Sequence, residues 1–97
     1  MKKVEELIKE NKCTIIDVRT SAEFMGGNVE GSINIPLIDL NKRMNEIKNF
    51  NLPIVLCCAS GGRSSVATQV LTQANIECYN GGSWFDVNYY KSEKVQL

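Results

Sequence analysis

The chain has 97 residues, 43% of them hydrophobic; this is enough to bury one core and hardly two, so we expect one domain over residues 1–97. Eleven basic and eleven acidic residues cancel, which argues against the electrostatic footprint of a nucleic-acid or membrane-surface partner, and no apolar run approaches a signal-peptide core or a membrane span, so a cytoplasmic protein is expected. The absence of histidine excludes Cys-His and Ser-His-Asp nucleophiles and, with no C-x-x-C pair, leaves a metal site without its usual ligands.

Val4, Leu7 and Ile8 have the spacing of a helix face, and that first helix ends near Asn11. "CTIIDV", Cys13 to Val18, is a β-branched run that reads as a buried strand leading to Asp17 and Arg19. Thr20 and Glu23 then stand as a capping box for a short helix through Met25, stopped by Gly26 and Gly27. "SINIP", Ser32 to Pro36, is a brief extended segment. Leu37, Leu40, Met44 and Ile47 predict a helix over 37–48, followed by a turn in "NFNLP".

"IVLCC", Ile54 to Cys58, is the most hydrophobic run and reads as a central strand buried on both faces. From Ser64 the pattern turns helical, with Val66, Ala67, Val70, Leu71 and Ala74 on one apolar face. "IECY", Ile76 to Tyr79, reads as a further strand, and "NGGSWFDV" leads into a helix or irregular tail with Trp84, Phe85, Tyr89 and Tyr90 as packing residues. Strands alternating with helices imply an α/β domain, its parallel strands joined by helical crossovers.

"VLCCASGGRSS" therefore passes from strand to loop to helix, and its loop lies at the carboxyl end of a central strand, where open α/β sheets bind ligands. The helix start presents free amides and a partial positive charge. Gly61 and Gly62 let successive N–H groups turn inward, and Arg63 adds a full charge. A thiolate on Cys58 is then the favoured anion, since comparable surroundings lower a cysteine pKa to roughly 3.5–7.5 without any histidine. Cys57 points to the opposite face and reads as a small buried hydrophobe.

These residues resemble those of a single-domain rhodanese, the sulfurtransferase family, whose active loop has the pattern C-x-x-G-x-R-S. Cys58, Gly61, Arg63 and Ser64 in "CASGGRS" match it, as do "DVRTSAEF", "GNVEGSINIP" and "GGSW" along the rest of the chain, from about Ile15 to Trp84. Asn28 stands where the family usually has histidine, at a position that is structural more than chemical. The resemblance implies a three-layer fold, with a parallel sheet of four to five strands and helices on both faces.

It also implies a two-step reaction without cofactor. Cys58 takes sulfane sulfur from thiosulfate or a persulfide, holds it as a cysteine persulfide, and passes it to a thiol or other nucleophile, either a small molecule or a protein. The amides of Ala59, Ser60, Gly61, Gly62 and Arg63 cradle the persulfide, and Arg63 helps to bind anionic donors. Four residues separate Cys58 from Arg63; in this family that spacing marks sulfur handling, whereas phosphatases and arsenate reductases have five.

The blander readings are a salt-bridged bracket for Asp17, Arg19 and Glu23, which would support the loop, and a helix cap for Ser64. Cys13 and Cys78 read as core, with Cys78 a resolving thiol only if its Cα lies within about 7 Å of its partner's. The competing function is a non-catalytic rhodanese-like module that binds a partner and keeps the loop by descent. An intact cysteine, glycine and arginine favour the enzyme.

Overall fold

The structure, a computed structural model, describes residues 2–93. Its elements in chain order are α1 (Lys2–Lys9), β1 (Thr14–Asp17), α2 (Ser21–Met25), β2 (Ile33–Asn34), two 3₁₀ turns (Leu37–Asp39 and Asn41–Arg43), α3 (Met44–Lys48), β3 (Ile54–Cys58), α4 (Gly62–Gln73), β4 (Cys78–Ser83) and α5 (Trp84–Ser92). The four strands form one wholly parallel sheet in the order β2-β1-β3-β4. No helix among the described residues is long and apolar enough to cross a membrane.

Alternation along the strands divides the interior into two cores. Ile16, Leu56 and Cys58 face one side of the sheet, where Leu40, Ile47, Ala67 and Leu71 cover them from the 3₁₀ segment, α3 and α4. Ile15, Val55 and Cys57 face the other, under Val4 and Ile8 of α1 and Val87 of α5. All five residues of β3 are buried, as its unbroken apolar run requires of a strand with neighbours on both edges. Cys57 thus lies on the face opposite Cys58, and burial pushes its thiol pKa up.

Several local expectations need correction. The helix expected over 37–48 is broken into the 3₁₀ turns and α3; Leu40 and Ile47 are buried nonetheless, because a spacing of three serves a 3₁₀ turn as well as an α-helix. The strand expected at Ile76 to Tyr79 runs instead from Cys78 to Ser83. Gly81 sits within it because the chain passes too close to its neighbours for a side chain: a Cβ there would lie 2.8 Å from Val55 Cγ1 and 3.1 Å from the Leu56 carbonyl oxygen, whereas Gly82 has open space around it and is suited by its φ of 79°. The helix expected from Ser64 starts at Gly62, so Ser64 is in its first turn and Gly61, at φ 106°, holds the cap position.

Val66, assigned to the apolar face, is 49% exposed, whereas Ala67 and Leu71 are fully buried. Among the aromatics, Trp84 and Tyr90 pack against the second core, while Phe85 and Tyr89 face solvent. Cys13 and Cys78 are half-buried at the amino end of the sheet. Cys78 is in register with Ile54, four residues before Cys58; at about 3.3 Å per residue the two thiols are separated by roughly 13 Å along the strand, too far for a disulfide without moving backbone.

Candidate active site

The carboxyl ends of β1 and β3 and the end of β4 meet the start of α4, and Cys58 is the last residue of β3. Its side chain lies under the loop that follows, where Ala59, Ser60 and Gly62 are exposed and Cys58 itself is 1% exposed. The Gly61 amide donates to Cys58 Sγ at 3.0 Å and the Ser64 amide at 3.3 Å. Ser64 Oγ stands 3.4 Å from the same sulfur. The sulfur thus occupies the place that a capping side-chain oxygen has at other helix starts, accepting amides that have no partner within the helix.

Burial alone pushes the Cys58 thiol up and is the largest single influence on it. The thiol donates to Ser64 Oγ; once the sulfur is ionised, that hydroxyl and the amides of Ser64, Gly61 and Ser60 all favour the thiolate, together outweigh burial, and bring the pKa below that of an ordinary thiol. The donors are therefore residues 60, 61 and 64 more than the whole run from 59 to 63. Gly61 has the left-handed conformation that aims its amide at the sulfur.

Ser64 is fully buried and is not the helix cap expected of it, since Gly61 holds that position without a side-chain cap. Its hydroxyl lies 2.7 Å from Asn80 Oδ1, and that oxygen also accepts the Gly82 amide at 2.9 Å. Asn80 escaped the sequence reading, because an asparagine before two glycines signals a turn. Here the "NGG" segment is a bulged strand, with the register against β3 shifting between Leu56 and Cys57. The bulge brings Asn80 to the back of the loop, where it steadies Ser64.

The three residues expected to support the loop form two ion pairs. Asp17 and Arg19 are buried, with Arg19 donating through Nε and Nη2 to the Asp17 carboxylate at 2.7 to 3.0 Å. Arg19 also donates to the carbonyls of Gly27, at 2.7 Å, and Glu23, and lies over the Trp84 ring at 4.7 Å. The second pair joins α2 to the loop: Arg63 donates to both Glu23 carboxylate oxygens, at 2.8 and 3.0 Å. Glu23 is simultaneously the capping-box partner of Thr20. Its pKa is lowered to about 2, first by Arg63 and then by the Thr20 amide. Asn28 donates to the Phe24 carbonyl at the end of α2.

A family model described as Rhodanese-like domain matches residues 1–86. The chain belongs to the rhodanese-like family. Among curated proteins, YqhL of Bacillus subtilis (strain 168) is 43% identical over 70 residues, covering 71% of this chain and 55% of that protein. A Schizosaccharomyces pombe protein named "Putative thiosulfate sulfurtransferase, mitochondrial" is 33% identical over 87 residues, covering 74% of this chain and 61% of its own length. The chain thus spans less than two thirds of either relative. The crystal structure of SSP1007 from Staphylococcus saprophyticus superposes with a TM-score of 0.74 at 30% identity, over 90% of this chain and 87% of that one. The parallel α/β sheet expected of a rhodanese is therefore present, in its four-stranded form.

Proposed function

We propose that this rhodanese-like protein is a sulfurtransferase whose sulfur-carrying nucleophile is Cys58. The observation that carries the reading is the Cys58 sulfur accepting the Gly61 and Ser64 amides at the start of α4, with a lowered thiol pKa. Membership of the family and the name of the fission-yeast relative support sulfur-transfer chemistry in general. The finer assignment to thiosulfate or persulfide donors rests on the loop.

In the first step the Cys58 thiolate attacks the outer sulfur of the donor. The donor S–S bond breaks, its electron pair leaves with sulfite or a thiolate, and Cys58 becomes a persulfide. The added sulfur extends into the loop, where inward amides and the helix end stabilise its charge before any acceptor arrives. In the second step an acceptor thiolate, small molecule or protein, attacks that outer sulfur and releases Cys58 as a thiolate. No net oxidation occurs over the cycle. All four cysteines are free thiols.

The test is intact-protein mass after incubation with thiosulfate or a small persulfide, for wild type and Cys58→Ser. Wild type gains one sulfur atom, a thiol removes it, and the variant gains none. A folded wild type that takes sulfur from neither donor, and whose Cys58 alkylates no faster than an ordinary thiol, would leave a partner-binding module instead.

A further inference from the structure

Arg63 is the only cationic side chain in the loop from Cys58 to Ser64, and it is already paired. Glu23 holds both terminal nitrogens of its guanidinium at 2.8 and 3.0 Å. The carboxylate cannot simply swing away, because the Thr20 amide at 3.0 Å and the Thr20 hydroxyl at 3.1 Å fix it from its own helix. The neighbouring Asp17 and Arg19 form a closed buried pair. The charged groups that act on Arg63 are Glu23, Cys58 and Asp17, all anionic when ionised. Among the described residues, Arg63 and Arg19 are thus each compensated by a carboxylate, and an incoming anion is met mainly by amide dipoles.

Sulfur donors differ in how much charge they bring. Thiosulfate is a dianion, and both charges leave with sulfite when its S–S bond breaks and its outer sulfur joins Cys58. A protonated alkyl persulfide delivers the same sulfur and releases one thiolate. We propose that Glu23 is a specificity-determining residue which, by compensating Arg63, sets the site for persulfide donors over thiosulfate. This rests on Cys58 as the sulfur carrier. Glu23 acts through Arg63 and touches no reacting atom.

Glu23→Gln tests this while keeping the capping box, which glutamine also closes. Sulfur loading of Cys58 is followed by intact mass in single turnover, with thiosulfate and with the persulfide of 2-mercaptoethanol, at low and high ionic strength. The ratio of thiosulfate to persulfide loading efficiency rises about fivefold in the variant at low salt, the scale of one half-exposed ion pair, and falls back as salt screens Arg63. Glu23→Ala, which removes the carboxylate without preserving the box, moves the ratio the same way. A ratio that stays fixed while both donors speed up or slow down together overturns the proposal and reduces Glu23 to a loop support. A wild type that loads from neither donor is a separate result, since it overturns the sulfur-carrier reading itself.

Discussion

At the scale of single residues, the reactivity of Cys58 depends on two competing effects on one sulfur. Burial disfavours the thiolate, and the donors from Ser64, Gly61 and Ser60 restore it. Ser64 offers its amide and, when its single proton turns from Asn80 to the ionised sulfur, its hydroxyl, and only the hydroxyl can be removed by substitution. Ser64→Ala should therefore shift the midpoint of Cys58 alkylation against pH upward and slow sulfur loading about tenfold, the order of a hydrogen bond to a charged group. An unmoved midpoint would assign thiolate stabilisation to the amides alone. Cys58, Gly61 and Arg63 were legible in the sequence because a thiol, a loop glycine and a helix start follow one another in the chain. Asn80 was not, since its link to Ser64 spans 16 residues and crosses from β4 to α4.

At the scale of elements, the loop is held between a strand that approaches closely and a helix that reaches across. Gly81 lets β4 pass beside Val55, Val87 and the Leu56 carbonyl. Gly81→Ala should cost about 1–3 kcal/mol by overpacking against the buried Val55 and Val87 side chains and the Leu56 carbonyl, read as a lower urea midpoint at unchanged slope. The tie between α2 and α4 has a pH signature. The Glu23 carboxyl is lowered from 4.5 to about 2, so the pair's contribution is complete above about pH 4.5 and is lost as the pH falls through 2. Wild type should exceed Glu23→Gln in urea midpoint at pH 6, and the gap should close progressively between pH 4.5 and 2. A gap that persists unchanged to pH 2 would show that the ion pair adds nothing to stability.

At the scale of the whole molecule, Asp17 and Arg19 fasten the carboxyl end of the sheet to the segment after α2 and to Trp84 of α5. Arg19→Leu leaves the Asp17 carboxylate buried without its cation, and about 3–5 kcal/mol of stability should be lost in thermal or urea unfolding. The double variant Asp17→Asn with Arg19→Leu should recover part of that loss, because no bare charge then remains inside. Equal stability of the single and double variants would show that the packing of the arginine, more than its charge, was what mattered.

The sequence by itself determined the alternation of strands and helices, the burial of Ile54 to Cys58 on both faces and the capping box at Thr20. It also determined the order of thiol, glycine and arginine in the loop. Each of these is a local property: a period of hydrophobicity, a propensity, or a partner within a few residues. Only the tertiary structure decided that the two glycines after Asn80 lie inside a strand, that the helix expected over 37–48 breaks, and that Arg63 meets Glu23, 40 positions away in the chain. Those outcomes depend on where the twisted sheet brings distant segments together, and close approach and charge compensation exist only once it has done so.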